Sequence, residues 1–307
     1  MTMLDEEAIN SYLRAGKISA EVKKRARSFV KEGMSMLELA EKIENEIKEL
    51  GGSLAFPVNL SIGSIAAHFS PLTDSQDKIT KNGILKIDIG VHVNGYIADT
   101  AFSIDMDGEN EDLVKAAEEA VNRVKESIYP GVKISQISEI LEKTIKSYGA
   151  VPIRNLTGHG LDRYKLHTGI NIPSVTSLMI RGSIPPNSAV AIEPFATKGA
   201  GYVTEGDIVG IYSLKSIPSK KLKNLGSDAK TLYEKIYRER GELPFSERWY
   251  SSSVGVSNFR RLMRELTLNG ISQYYPILVE VTGSQVAQFE ESFLLLDKEV
   301  IVYTEEK

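Results

Sequence analysis

The stretch that decides the fold runs from residue 83 to residue 105 and reads GILKIDIGVHVNGYIADTAFSID. Apolar and polar residues alternate on both sides of Asn94-Gly95, which is the strongest short-range signal for a two-residue type I′ hairpin. Counting outward from that turn places Gly90 opposite Asp99, with Asp88 two residues further along the first strand. Since opposite side chains share a face, Asp88 and Asp99 become diagonal neighbours, with about 7–8 Å between their backbones.

Two like charges so close together have two explanations. Either one aspartate faces solvent or caps a neighbouring loop, or both carboxylates reach towards one or two cations between them. Gly90 lies between them on the same face, and we expect it to leave room for metal ions. His92 shares that face but lies roughly 13 Å nearer the turn, so we expect a rim or surface histidine outside the site.

The composition excludes several classes of protein. With 307 residues, 42% of them hydrophobic, the chain is large enough for one big domain or two modest ones. The formal net charge is −4 and neither sign forms long blocks, which argues against nucleic-acid binding driven by bulk charge. Because cysteine is absent, disulfides and thiolate metal sites are excluded, so any metal must be bound by carboxylates and imidazoles. The N-terminal sequence lacks a signal-peptide pattern and no apolar run approaches roughly 18 residues, so we expect a cytoplasmic protein.

Part of the chain repeats itself. Residues 5–31, 34–50 and 111–127 are predicted helices. A shift of about 98 positions superposes the second helix on a later one and matches Gly33 with Gly131, Glu44 with Glu142, and Gly51 with Gly149. Helical periodicity explains part of the match, but glycines at both ends favour an internal duplication. Each copy is a helix, a glycine, a strand and a histidine-bearing loop.

The last third of the chain changes in composition. Residues 190–195 (VAIEPF) predict a short apolar strand interrupted by Glu193, and Glu290 lies in a similar setting. Between them, residues 211–273 are rich in Lys and Arg and predict an inserted helical, winged-helix-like subdomain. The remaining residues, 1–210 and 274–307, then form the main domain. The basic side chains Arg260, Arg261 and Arg264 are expected to be solvated.

Five ligand-capable residues are oddly placed for a plain globular chain: Asp88, Asp99, His159, Glu193 and Glu290. A glutamate within an apolar strand costs desolvation energy unless it is paired or coordinated. Four carboxylates and one imidazole are too negative for a single cation and suit two divalent ions at about 3.5–4 Å separation. Such a shell favours Mn, Fe(II) or Co(II), and also accepts Zn. The alternative is a merely structural acidic cluster.

These motifs, taken together, resemble the methionine aminopeptidases of type 2 in their shorter archaeal form. The resemblance covers nearly the whole chain and rests on motifs in the family's order and spacing: Phe56-Pro57, Ala66-Ala67-His68, the Asp88/Asp99 hairpin, Gly158-His159-Gly160, His167-Thr168-Gly169, Glu193-Pro194 and Gln288-Phe289-Glu290. The insertion between the two glutamates, with Gly241-x-Leu243-Pro244-Phe245 and Arg248-Trp249, resembles that of type 2. The implied fold is the α+β pita bread (creatinase/aminopeptidase) fold, with pseudo-twofold duplicated halves around a curved antiparallel sheet.

The resemblance also implies a role for each residue. Asp88 holds one metal ion through both oxygens, Asp99 and Glu290 bridge two ions, and His159 and Glu193 complete the second. The two divalent ions (Co, Mn, Fe(II), Ni or Zn) would lower the pKa of a shared water, and the hydroxide would attack the first peptide bond.

Residues outside the ligand shell receive roles from the same resemblance. Glu193 would also carry the proton. His68 and His167 would contact the scissile bond as catalytic, substrate-binding residues. Phe56 and Leu166 would line the pocket for the methionine side chain, although Phe56 also fits a core position.

The expected substrate is the N-terminal methionine of nascent polypeptides with a small, uncharged second residue. The family implies a cytoplasmic monomer, compatible with proximity to the ribosome, and no DNA or membrane partner. A prolidase or proline-directed aminopeptidase on the same fold would have the same ligands. A non-catalytic pita-bread protein that binds RNA or ribosomes is a further alternative, although such relatives typically lack metal ligands.

Overall fold

The computed structural model describes residues 4–218, 222 and 225–306. Its helices with described bounds are α1 (Glu6–Phe29), α2 (Met36–Glu49), α3 (Glu111–Lys125), α4 (Ile134–Ser147), α5 (Ser227–Arg240), α6 (Glu247–Val254) and α7 (Val256–Leu268). The helices predicted at 5–31, 34–50 and 111–127 are confirmed to within two residues at each end. Side-chain caps explain two of these starts, since Asp5 accepts from the amide of Ala8 and Ser35 accepts from that of Glu38. Among the described residues, no helix combines the length and apolar character that a membrane crossing requires.

The strands pair antiparallel throughout. In chain order they are β1 (Ser53–Leu54), β2 (Asn59–Ile62), β3 (Ile65–Ala67), β4 (Ile84–Val93), β5 (Tyr96–Asp105), β6 (Val151–Pro152), β7 (Thr157–Leu161), β8 (Asn171–Pro173), β9 (Ser188–Ile192), β10 (Phe195–Thr197), β11 (Val203–Leu214), β12 (Phe245–Ser246), β13 (Ser272–Glu280), β14 (Val286–Gln288), β15 (Glu291–Leu295) and β16 (Val300–Val302). They form sheets with the orders β1-β4-β2 (β5 pairing with β4), β14-β10-β6, β12-β11-β13-β3 and β16-β15-β9-β7-β8. The largest buried apolar cluster joins helices α1 to α4 to these sheets.

The predicted hairpin is confirmed with its register. Asn94 and Gly95 have φ values of 52° and 90°, as a type I′ turn requires. Gly90 pairs with Asp99, and Asp88 pairs with Ala101. The two aspartates therefore lie on one face of the β4–β5 ribbon.

The internal repeat is visible in backbone contacts as well as in sequence. Helices α2 and α4 have 14 residues each. The amides of Gly33 and Gly131, which precede them, donate to the carbonyls of Ile79 and Ile184, both at 2.9 Å. In return, the amide of Ile79 donates to the carbonyl of Met34 in the first copy, and the amide of Ile184 donates to the carbonyl of Val132 in the second. Met34 and Val132 are at equivalent positions of the repeat. The same helix and flanking loop thus occur twice, as the duplication predicts.

A break between two strand pairs positions the glutamates. Ile192 pairs with Glu291, and beyond the break Phe195 pairs with Gln288. The shared register places Glu193 directly opposite Glu290. The strand predicted over 190–195 with an interruption at Glu193 is divided in two at that residue: β9 ends at Ile192, and the chain passes into a different sheet at β10.

The insertion has an apolar cluster of its own, built from α5, α6, α7 and the ends of the adjoining strands. The predicted limits at 211 and 273 fall inside β11 and β13, which carry the chain out of the main sheets and back. The expectation that Arg260 is solvated holds only in part: its side chain is 40% exposed, but its guanidinium bonds the fully buried Glu247 at 2.7 Å and Asp74 at 2.9 Å. Within the described residues, the contacts of Arg261 are with Asn258 and Glu265 at the surface.

Candidate metal centre

The structure brings the five predicted ligands together. The Nε2 atom of His159 lies 3.5 Å from Glu193 Oε1 and 3.7 Å from Asp99 Oδ2. Ligand atoms of Asp99, His159 and Glu290 all lie within 4.8 Å of one another. Asp88 lines the same cavity. Asp88 and Asp99 share one hairpin, and the other three residues come from three further stretches of chain.

Backbone pairing fixes where each carboxylate points. Ala101, the partner of Asp88, also forms a two-bond bridge with Glu290, at 2.9 and 3.3 Å. Asp88 and Glu290 therefore flank Ala101 on one face. The amide of Asp99 donates to the hydroxyl of Ser292 at 2.9 Å, which links β5 to β15 beyond that bridge. Hydrogen bonds thus join the hairpin to the segment that carries Glu290.

Electrostatics make this cluster unfavourable without a cation. Burial raises the pKa of Asp88 to about 7. Burial, together with the charges of Asp88 and Glu193, raises the pKa of Asp99 well above its usual range. The pKa values of Glu193 and Glu290 are raised in the same way by burial and by neighbouring carboxylates. Such a set either binds protons or binds positive charge.

The donor set fits divalent metal ions. Buried oxygens of Asp88, Asp99 and Glu290 lack a hydrogen-bond partner within the described residues. In the part of the chain that the structure describes, no lysine or arginine forms an ion pair with any of the four carboxylates. Burial lowers the pKa of His159 to about 3, so the imidazole is neutral and able to act as a ligand. A hard or borderline cation would bind the unpartnered buried oxygens and the neutral imidazole nitrogen, and so offset the cost of burying them.

A cavity of about 270 Å³ opens above the carboxylates. His68, His167, Phe56 and Leu166, the residues predicted to contact substrate, all line it. The exposed His167 has its ring 4.3 Å from that of His159, measured between ring centroids.

His68 is held in an unusual backbone conformation, with φ of 66°. Its Nδ1 atom lies 3.2 Å from the carbonyl oxygen of Pro276, and burial lowers its pKa to about 4. A neutral ring that contacts a carbonyl through Nδ1 carries its proton there, so Nε2 is a hydrogen-bond acceptor.

Gly90 does not leave space for metal ions, and that expectation is wrong. A Cβ atom at Gly90 would lie 2.2 Å from Cε1 of Phe56 and 2.4 Å from its Cδ1. The aromatic ring therefore occupies the position between the two aspartates on their shared face. Phe56, only 5% exposed, forms a wall of the cavity and is packed at the same time.

His92 is half-buried beneath the ring of Tyr164, with 5.6 Å between ring centroids, and does not line the cavity. Sequence reasoning missed other lining residues, which include Asn155, Ile211, Pro244 and Tyr275. Ile211 and Pro244 come from the start and the middle of the insertion. Their only sequence signal was the Leu243-Pro244-Phe245 motif, because side-chain alternation in β11 does not reveal which face meets the cavity.

Comparison with known proteins places these features in a family. Residues 10–242 match the model of metallopeptidase family M24. The methionine aminopeptidase of Pyrococcus abyssi is 40% identical over 298 residues, covering 97% of this chain and 99% of that protein. The solved structure of a thermophilic Arx1 has a TM-score of 0.84 at 15% identity, covering 98% of this chain and 91% of its own. That of methionine aminopeptidase from Thermotoga maritima has a TM-score of 0.71 at 18% identity, with full coverage of both chains. These structural likenesses confirm the predicted pita-bread fold.

Proposed function

Because the chain belongs to the methionine aminopeptidases of metallopeptidase family M24, we propose that it removes the N-terminal methionine from polypeptides whose second residue is small and uncharged. The observation that carries the proposal is the convergence of four carboxylates and a neutral histidine at the floor of one cavity. The walls of that cavity combine two further histidines with the apolar side chains Phe56 and Leu166.

The proposed cofactor is a pair of divalent ions held by Asp88, Asp99, His159, Glu193 and Glu290. The number two is supported by charge, since two divalent ions balance four carboxylates. When bound, such an ion supplies a nucleophile at neutral pH by lowering the pKa of a water molecule. The candidate ions remain Co, Mn, Fe(II), Ni and Zn, because carboxylate and imidazole ligands accept all of them.

Glu193 is the proposed proton carrier. Its carboxylate lies at the floor of the cavity opposite Glu290, and its side chain is 16% exposed, so it can reach both a water and a substrate. It would accept the proton of the attacking water and deliver it to the leaving amine.

The two cavity histidines have different proposed tasks. His68, with Nδ1 protonated, offers an acceptor at Nε2 and suits the N–H of the substrate backbone. His167 is exposed beside His159 and is free to donate a hydrogen bond to the oxygen that becomes negative as the peptide bond is attacked. Phe56 and Leu166 would contact the methionine side chain.

The proposal is tested with metal-free protein supplied with each candidate ion in turn. Met-Ala-Ser and a set of X-Pro peptides are the substrates, and released amino acids are quantified. We expect rapid release of methionine, which falls as the second residue becomes larger. Cleavage of X-Pro peptides alone would identify a prolidase or proline-directed aminopeptidase. Absence of both metal binding and cleavage would leave the non-catalytic alternative.

We also propose that the enzyme works as a cytoplasmic monomer near nascent chains, with residues 211–273 as a separate helical subdomain. The substrate supports the location, since new N-termini arise at the ribosome. The separate apolar cluster of the insertion supports the subdomain. Sedimentation equilibrium would test the monomer, and proteolysis of the native protein would test whether the insertion is released as one piece.

A further inference from the structure

The segment from Leu54 to Val58 carries Phe56 into the cavity and is held at both ends. Before Phe56, the amide of Ala55 donates to the carbonyl of Gly90 at 2.9 Å. After it, the amide of Val58 donates to Glu44 at 3.2 Å, and the hydroxyl of Ser70 donates to the carbonyl of Val58 at 3.0 Å. The position of the ring is therefore set by contacts of the backbone around it.

The insertion supplies the remaining contacts. Arg240, the last residue of α5, donates to the carbonyl of Leu54 at 2.7 Å and to that of Ala55 at 3.1 Å. A third bond, of 2.9 Å, joins it to the carbonyl of Pro244, which lines the cavity. All three bonds come from the two terminal nitrogens, while the guanidinium packs against the ring of Trp249 at 5.2 Å. One side chain thus joins two walls of the cavity.

The same insertion reaches the other end of the segment through Glu44. Arg248 forms a buried ion pair with Glu44, and the indole of Trp249 donates to the same carboxylate at 2.9 Å. Both side chains in the ion pair are 3% exposed. These contacts fix the Glu44 carboxylate, and they therefore fix the position of the oxygen that accepts from the amide of Val58.

We infer that Arg240 is a positioning residue for methionine recognition: it fixes Phe56 through the carbonyls of Leu54 and Ala55, and so sets how well the pocket selects the first side chain. The inference rests on the proposed function and assigns to one residue of the insertion the control of selectivity for the first side chain. Arg240 contacts no substrate, and its effect is transmitted through the ring of Phe56. A ring seated on Gly90 has little freedom to retreat inward, so its outward movement depends on this clamp.

Lysine cannot replace this arginine in full. A guanidinium presents a rigid planar fork, whereas an ammonium is a single point that cannot reach three separated carbonyls with the same geometry. Arg240→Lys therefore keeps the charge and part of the bonding, and Arg240→Met removes both. Arg238→Met is the matched control, because Arg238 lies in the same last helical turn and is exposed.

The first experiment measures kcat and KM for Met-Ala-Ser, Leu-Ala-Ser and norvaline-Ala-Ser, together with inhibition by free methionine. For Arg240→Met we expect KM for the methionine peptide and the inhibition constant of methionine to rise about tenfold or more, with kcat changed about threefold or less. Selectivity for methionine over the shorter or branched side chain should fall by about tenfold, the scale of one misplaced methylene. For Arg240→Lys, KM and selectivity should lie between those of Arg240→Met and the wild type. Arg238→Met should match the wild type in both. Metal content, measured by mass spectrometry, should be unchanged in all variants.

A double-mutant cycle identifies the route of the effect. If Arg240 acts through Phe56, then adding Arg240→Met to Phe56→Leu should change methionine selectivity about twofold or less. Additive effects would overturn the inference, as would an Arg240→Met enzyme with wild-type KM and selectivity. If Arg240→Met fails to fold, Arg240→Lys carries the same test. A wild-type protein that cleaves no Met-X peptide would instead refute the proposed function, and with it this inference.

Discussion

Gly90→Ala is a test of how the cavity wall is built. The added Cβ atom would lie 2.2 Å from the nearest ring carbon of Phe56. A normal carbon–carbon contact is about 3.7 Å, so the ring must retreat by about 1.5 Å. The ring is rigid, and the hydrogen bond between Ala55 and Gly90 prevents the strand from moving away freely. Overpacking of this kind costs about 1–3 kcal/mol of folding free energy.

In free energy, the expected loss of activity is similar to the upper end of that loss of stability. Displacing a substrate-contacting group by about 1 Å costs on the order of 100-fold in rate, so kcat/KM for Met-Ala-Ser should fall by about that factor. The backbone pairing of Gly90 with Asp99 is unaffected by a methyl group, so metal content should remain at the wild-type level.

The assay combines peptide cleavage, metal analysis and thermal unfolding of one protein preparation. Gly226→Ala is the control, because its Cβ atom would lie 3.4 Å from a flexible Glu265 side chain and its φ is −59°. A Gly90→Ala enzyme with kcat/KM within about twofold of wild type would refute the packing argument. So would loss of metal with an unmoved Phe56, since the clash would then fall on the ligands.

Four further outcomes follow from the structure. Asp99→Ala should abolish both metal retention and cleavage, because one proposed ligand serves two ions; near-normal turnover would contradict the two-metal proposal. His167→Ala should keep its metal but lose about 100-fold or more in kcat, and metal loss would show that His167 is a ligand. Burial lowers the pKa of His68 to about 4, so its ring is neutral above about pH 5; His68→Gln should lower kcat without moving the acid limb of the pH–rate profile, and a displaced limb would contradict this. Lys23→Met should lower the free energy of unfolding by about 3–5 kcal/mol in urea titrations, because it leaves the buried Glu291, 2.9 Å from the ammonium, without its closest cation; an unchanged midpoint would assign that charge balance to Lys125.

Local and periodic signals predicted much of the fold. The Asn94-Gly95 turn fixes the hairpin register by backbone sterics alone, so Asp88 and Asp99 could be placed from sequence. The repeat could be found because both copies keep a glycine of positive φ at each end of the helix. The five proposed ligands could be selected because they are polar residues in apolar surroundings that match the motifs of a known family.

Other features depend on contacts between distant segments and carry no local signal. Nothing in the sequence near Gly90 shows that Phe56 packs on it, because the two are brought together by the pairing of β1 and its following loop with β4. The facing positions of Glu193 and Glu290 depend on a register that resumes after the whole insertion. The Arg240 clamp is hidden for a different reason: a basic residue at the end of a charged helix looks like any other solvated arginine.

The register that faces Glu193 with Glu290 also means that the proposed metal centre is shared between two pieces of chain. Strands β9, β10 and β11 precede the insertion, and β13, β14 and β15, which pair with them, follow it. A cut between Leu214 and Ser227 would leave Glu193 in one fragment and Glu290 in the other. Neither fragment would contain all five proposed ligands, so we expect metal binding to return only when the two fragments reassociate through these strands. The protein is therefore suited to use as a split enzyme, in which recovered activity would report that the two fragments have reassociated.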